Sequence, residues 1–239
     1  MRHALVTGGS GSIGAAIANA LASAGNHVHV HAHSHPDQAI AVVRQIQSAG
    51  GSAETIYFDV TDAESTQSAL TNLLQKTPIQ ILVNNAGIHD DAPLAGMRTE
   101  QWMQVINVSL HGFFHVTQPL LLPMIRTRWG RIINISSVSG VVGNRGQANY
   151  AAAKAGLHGA TRTLALELAS RGITVNTVAP GIIATPNTSK LFSDEAIQRL
   201  VPMKRAGTPQ EVANVVAFLA SEQASYVSGQ LIQVNGAMT

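Results

Sequence analysis

The chain has no cysteine, so neither a disulfide framework nor a thiolate metal site is open to it. Charge is scarce too: Asp, Glu, Lys and Arg make up 12% of the residues, against roughly 25% in an ordinary globular domain. With a formal net charge of +2 and no run of Lys or Arg, it lacks the basic footprint of a nucleic-acid binder. No apolar run approaches the ~18 residues of a membrane span. Residues 1–7 run straight into a strand pattern and leave no room for a signal peptide with its own apolar region and cleavage site. These absences point to the cytoplasm, with no membrane and no nucleic acid as partner. So little charge over 239 residues also implies that a second subunit covers part of the surface, so a homo-oligomer is expected.

What is present is a steady alternation of short β-rich runs with longer segments of helical spacing. The strand candidates are 4–7, 27–31, 55–59, 81–84, 131–136, 174–178 and 231–234. Thr61 with Glu64, and Thr208 with Glu211 behind Pro209, read as capping boxes that start helices. Strand–helix alternation builds βαβ units, hence a parallel sheet with helices on both faces. No linker, composition shift or repeat divides the chain. The expectation is one α/β domain over 1–239, doubly wound, with about seven parallel strands and a ligand at their carboxyl ends.

The first strand ends in Thr7-Gly8-Gly9-Ser10-Gly11-Ser12-Ile13-Gly14, followed by a helix start at Ala15-Ala16-Ile17-Ala18. Glycines let a backbone turn sharply and bring amide N–H groups up to a pyrophosphate at a helix N-terminus, where the dipole favours anions. Gly9, Gly11 and Gly14 match the G-x-G-x-x-G dinucleotide fingerprint between a strand and a helix, which marks a Rossmann-type fold. The competing reading is a glycine-rich turn without a ligand. The fingerprint expects an acid about 20 residues further on to hold a ribose hydroxyl. Here that region reads His31-Ala32-His33-Ser34-His35-Pro36, and Asp37 lies beyond the proline. With no carboxylate to repel a 2′-phosphate, NADP(H) is expected in preference to NAD(H), with His33 and Ser34 donating to that phosphate.

His27, His29, His31, His33 and His35 alternate, which places them on one strand face. That face packs against helices in a doubly wound sheet, and no carboxylate pattern accompanies them. They read as core or rim histidines, and no metal is expected.

Tyr150 and Lys154 stand at i and i+4, on one face of a helix. A free phenol has a pKa of about 10, and a nearby ammonium lowers it towards working pH. Alone the pair could equally be an exposed helical pair. Ser136 and Ser137, however, close a strand at the ligand edge, where a hydroxyl can polarise a carbonyl that Tyr150 then protonates. Asn84-Asn85-Ala86-Gly87 closes another strand at that edge. Asn107 lies within a helical stretch although asparagine is a mediocre helix former, which points to a task for its side chain or to a helix kink.

In order and spacing, the residues Thr7 to Gly14, Asp59-Val60, Asn84 to Gly87, Asn107, Ser137, Tyr150, Lys154 and Pro180-Gly181 with Thr185 resemble the classical short-chain dehydrogenase/reductase family over essentially the whole chain. The resemblance implies that Tyr150 is the acid/base and Ser137 the carbonyl-orienting hydroxyl. It implies that Lys154 binds the nicotinamide ribose and depresses the Tyr150 pKa, and that Asn107 holds a water of a proton relay. It assigns cofactor contacts to Gly8, Ser10, Gly11, Ser12, Ile13 and Gly14, to Asp59 and Val60 at the adenine, and to Asn85, Ala86 and Gly87. The stretch Pro180, Gly181, Ile183 and Thr185 falls at the carboxamide. The family loop reads T-G-x-x-x-G-x-G, and Ser12 stands where it has its middle glycine.

Within the family the chain is similar to the reductases of 3-oxoacyl thioesters on acyl-carrier protein. The similarity lies in 226–238, in Arg128-Trp129-Gly130-Arg131 and in 169–176. It implies NADPH-dependent reduction to the 3-hydroxyacyl form, in fatty-acid or polyketide-type synthesis. Arg128 and Arg171 match positions that meet the acidic carrier protein; otherwise they are solvated surface arginines. Ala152, Gly156, Gly159 and Ala160 allow close helix contact, and relatives use this helix and the last strand to form tetramers. Residues 186–206, with a helix start at Ser193-Asp194-Glu195, resemble a substrate lid. Two other readings stay open: a reductase of a small free ketone, sugar or steroid on the same residues, and a non-catalytic nucleotide-sensing protein on the same fold.

Overall fold

The computed structural model describes residues 1–239, except the side chains of Asn187 and Lys190. Seven strands pair in parallel as one sheet in the order β3-β2-β1-β4-β5-β6-β7. They are β1 His3–Val6, β2 His27–Ala32, β3 Ser52–Tyr57, β4 Ile81–Asn84, β5 Gly130–Ile135, β6 Ile173–Pro180 and β7 Leu231–Val234. The helices are α1 Ser12–Ser23, α2 Pro36–Ser48, α3 Ala63–Leu74, α4 Thr99–Ile106, α5 Gly112–Thr127, α6 Ser139–Val142, α7 Ala148–Leu168, α8 Pro186–Leu191, α9 Asp194–Leu200 and α10 Pro209–Ala220. None is long and apolar enough to cross a membrane, among the described residues.

Every residue of β5 and β6 is buried, as befits strands covered on both faces. On one face Val28 and Val30 pack with Ile17, Leu21, Val212 and Val216, which puts α1 and α10 there. On the other, Leu5, Leu82 and Ile132 pack with Leu70, Leu120 and Leu168 from α3, α5 and α7. β1 pairs with both β2 and β4, so strand order reverses there and a crevice opens at the carboxyl ends of β1 and β4.

A buried polar ladder crosses the sheet beneath that crevice. Asn84 Nδ2 donates to Asn134 Oδ1 at 2.9 Å and to Thr117 Oγ1 at 3.0 Å. Asn134 Nδ2 donates to Thr161 Oγ1 at 2.8 Å, and the Thr161 and Thr177 hydroxyls meet at 2.7 Å. A satisfied network at low dielectric fixes one arrangement of β4, β5, β6 and α7.

Three local expectations are corrected. β3 begins at Ser52 and not at 55, because Ser52 and Ala53 already pair with His27 and Val28. Thr61 does not cap α3: Asp62 does, accepting from Ser65 N at 3.0 Å, while the Thr61 hydroxyl donates to Asp59 Oδ1 at 2.8 Å. The stretch around Asn107 is not plain α-helix, for Asn107–His111 forms a π-helical turn between α4 and α5, a device frequent at functional sites. The Thr208–Glu211 capping box and the Ser193 cap are as expected.

The segment after β6 leaves and returns through one pinch. Ala184 N donates to Gly207 O at 2.7 Å and Gly207 N to Ile182 O at 2.9 Å, a parallel bridge at Ile183–Gly207. Between its ends lie α8, capped by Thr185, and α9.

Candidate active site

The turn from β1 into α1 is built tightly enough to require glycine at particular places. Gly8 has φ +60°, and a Cβ on Gly14 would lie 2.2 Å from Gly8 O. On Gly9 it would meet Val30 Cγ1 at 2.9 Å. Gly11 caps α1 without a side chain, which leaves the first-turn N–H groups of Ser12, Ile13 and Gly14 to an incoming anion. Ser12 is exposed and is not among the residues with positive φ, so a glycine is not needed where the family pattern has one.

Two side chains hold this loop from either flank. Asn85 Nδ2 donates to Thr7 O at 2.9 Å and Gly8 O at 3.0 Å, and Thr7 Oγ1 accepts from the N–H groups of Asn85 and Ala86 at 3.0 Å each. The Asn85 side chain therefore braces the loop. Opposite it, buried His31 accepts from Gly8 N at 3.1 Å through Nδ1 and donates to Phe58 O at 2.9 Å through Nε2. Burial pushes the His31 pKa down to about 4, so the ring is neutral and keeps a lone pair for Gly8. Nothing in the sequence beyond strand alternation signals this role. Replacing His31 by leucine leaves the Gly8 N–H without an acceptor, a loss of about 1–3 kcal/mol. A dinucleotide titration is expected to show at least about tenfold weaker binding, and equal affinity in the two proteins would refute the brace.

At the carboxyl end of β5, Ser137 Oγ accepts from Ser139 N at 3.1 Å, and Ser137 stands beside Tyr150 in the first turn of α7. Lys154 is 3% exposed, with Nζ donating to Ile135 O at 2.8 Å and lying 5.7 Å from the Tyr150 ring centroid. Burial brings its pKa down to about 8. That is the only hydrogen bond of this ammonium among the described residues, so two of its three donors remain for a ligand. Gly87 faces it, since a Cβ there would come within 3.0 Å of Nζ. Ser136 anchors the same helix, donating to Lys154 O at 3.0 Å with its hydroxyl 2.7 Å from His158 Nε2. A glycine-built anion cradle ending near an under-used buried ammonium fits a dinucleotide.

The expected lowering of the Tyr150 pKa is not what this arrangement gives. Burial raises it, the Ser137 hydroxyl works in the opposite direction, and Asp91 raises it further. The phenol is thus held as an acid, the form a reduction consumes. Asp91 accepts from Gln147 Nε2 at 2.8 Å, and His89 meets the Tyr150 ring edge-on at 6.3 Å between centroids. No sequence pattern marks His89 or Asp91 for this place beside Tyr150.

Other candidates fall around the same crevice. Asn107 opens the π-turn, with its backbone carbonyl accepting from Gly112 N. Val60 packs on Gly112. Exposed His33 lies 3.7 Å from Asp59, and the Ser34 hydroxyl lies 3.0 Å from His35 Nδ1. Ser10 lies in the loop itself. Pro180 closes β6, and a side chain on Gly181 would run into Asn235 Cα at 2.8 Å. Arg128 reaches the turn that carries Arg171, with Arg128 Nη2 donating to Ser170 O at 3.2 Å. They precede β5 and β6, at the end of the sheet opposite Ser137 and Tyr150.

This fold and this Ser–Tyr–Lys constellation define a class, and the chain belongs to the short-chain dehydrogenase/reductase family, as an oxidoreductase acting on CH–OH or C=O groups. A family model described as "Enoyl-(Acyl carrier protein) reductase" matches residues 8–239. A 3-oxoacyl-[acyl-carrier-protein] reductase of a Synechocystis strain is 46% identical, over 98% of this chain and 96% of its own. One from Staphylococcus epidermidis is 45% identical, over 99% and 98%. Among solved structures, a proposed gluconate dehydrogenase from Agrobacterium tumefaciens superposes with a TM-score of 0.95 at 34% identity, over 99% of this chain and 95% of that one.

Proposed function

We propose that this protein reduces a 3-oxoacyl thioester, carried on acyl-carrier protein, to the 3-hydroxyacyl form with NADPH. The observation that carries this reading is Ser137 beside Tyr150 over buried Lys154, in a chain 45–46% identical to enzymes named for that reaction. The cofactor, when bound, supplies the hydride. Ser137 donates to the carbonyl oxygen and orients it. Tyr150, kept protonated by its partly buried setting, gives its proton to that oxygen as negative charge develops. Lys154 holds the nicotinamide ribose and compensates the phenolate left behind, and Asn107 holds a water through which the site regains its proton. Two donors around one oxygen suit a carbonyl, which favours the 3-oxoacyl name of the relatives over the enoyl description of the family model.

NADP(H) preference rests on His33 and Ser34 at the end of β2, where the nearest following acid, Asp37, is already inside α2. A homo-oligomer, taken to be a tetramer, is supported by Phe114, Leu122 and Leu166, which are 60%, 64% and 84% exposed on α5 and α7. Gly159 of α7 faces open space, whereas Gly156 is already filled by Leu110. We place the protein in the cytoplasm and assign 186–206 as the substrate lid.

Arg128 and Arg171 are assigned to the carrier protein, whose acidic surface they suit. β5 spans six residues, so this patch stands roughly 20 Å of strand from Tyr150 in its own subunit. The test follows NADPH and NADH oxidation with an acetoacetyl group on carrier protein and on a pantetheine mimic. The expected result is fast NADPH use with the carrier-bound form. Arg128→Glu and Arg171→Glu should lower kcat/KM about tenfold for that form and leave the mimic unchanged. Equal losses on both substrates would remove the docking role. The gluconate-dehydrogenase likeness favours one other reading, oxidoreduction of a small free ketone, sugar or steroid; turnover of simple ketones with none of thioesters would move the substrate there. A purely nucleotide-sensing role leaves the complete Ser137, Tyr150 and Lys154 set without a use.

A further inference from the structure

Strand pairing assembles a histidine cluster at the end of the sheet remote from Tyr150. The β1–β2 register sets His3 against His27, and places His29 two residues further along the same face. Ring centroids are 4.8 Å apart for His3–His27, 5.4 Å for His3–His29 and 4.8 Å for His27–His29. One nitrogen from each ring lies within 4.8 Å of the others. We propose that His3, His27 and His29 form a binding site for one divalent transition-metal ion of the zinc type, tying β1 to β2 away from the catalytic crevice.

The spacing is that of a ligand set. His3 Nδ1 lies 3.2 Å from His29 Nε2, and tetrahedral zinc with bonds of 2.0–2.1 Å separates two nitrogens by about 3.3 Å. The outer nitrogens are already oriented. His27 Nδ1 is 2.7 Å from Ser52 Oγ, which leaves Nε2 for the cluster. His29 Nδ1 is 2.9 Å from Glu54 Oε1, on the neighbouring strand β3. Metal-bound imidazoles characteristically present their second nitrogen to such an oxygen, which fixes ring and tautomer. His29 is 1% exposed, and its Nδ1 faces the Glu54 carboxylate at 2.9 Å. Glu54 Oε1 also lies 3.7 Å from His27 Nε2, so the carboxylate can serve as outer partner or as fourth ligand. Three imidazoles with a carboxylate or water suit Zn2+, Co2+ or Ni2+ and not Mg2+ or Ca2+.

Strand alternation alone conceals this site, because the third ring comes from β1 and the carboxylate from β3. The test is titration of tag-free full-length protein with Zn2+, followed by calorimetry and thermal melting, and with Co2+, followed by visible absorbance. The expected result is one ion per chain, a raised Tm and the strong absorbance of tetrahedral Co2+. His27→Gln and His3→Gln, both at partly exposed positions, should each weaken binding at least about tenfold and leave reductase turnover unchanged. His29→Gln should abolish binding, and the two milder variants decide the matter where it fails to fold. Absence of saturable Zn2+ binding overturns the proposal. So does binding that survives His27→Gln, which would belong to the chain terminus and His3 or to other surface groups.

Discussion

Tyr150→Phe is expected to lower kcat by about 10²–10⁴, the usual worth of a placed general acid, while cofactor affinity stays within a factor of two or so. The ring remains to pack beside His89 and only the proton donor is gone. The pH profile carries the same logic. With burial setting Lys154 at about 8, the ammonium is charged at pH 7 and is lost as pH rises through 8. kcat/KM for reduction, which reports groups of the free enzyme, should therefore fall above about pH 8. In Lys154→Met that limb should disappear together with most of the activity. Steady-state rates from pH 6 to 10 on the three proteins decide it. Retained turnover in Tyr150→Phe would move the proton transfer to another group.

Gly14→Ala should abolish dinucleotide binding, because its Cβ would lie 2.2 Å from Gly8 O and 2.8 Å from Asn85 Nδ2. No side-chain motion relieves a clash with a backbone oxygen, so the loop must open and its first-turn amides lose their common focus. Loss of more than about a hundredfold in affinity is expected from fluorescence titration, with far-ultraviolet circular dichroism confirming the fold. Ser12→Gly restores the family pattern and should leave affinity within about threefold, since Ser12 carries no strain to relieve. Tight binding by Gly14→Ala would mean that phosphate contacts lie elsewhere.

These outcomes mark what sequence alone can and cannot deliver. Seven strands were legible because the buried runs are short, apolar and punctuated by turns, and the loop and the Tyr150–Lys154 spacing are local patterns with a mechanical reason. Boundaries that depend on pairing were not: β3 starts at Ser52 because β2 is there to receive it. The α3 cap is not legible in the sequence, because Thr61 and Asp62 compete for one task and only the chain path chooses Asp62. His31 was legible as a buried residue, but its bond to Gly8 joins two strands that the sequence does not align. The raised Tyr150 pKa comes from desolvation and Asp91, neither of which shows in a four-residue spacing.

The pinch at Ile183–Gly207 has a bearing on how such a chain can change. Because the two ends of that excursion are already tied, its length enters folding chiefly as closure entropy, and doubling a flexible loop adds only about 0.6 kcal/mol. The stretch between them can be lengthened, shortened or exchanged as a cassette while β6 and α10 keep their places. Chimeras joined at Ile183 and Gly207 are thus the economical route to transplanting substrate range between proteins of this architecture.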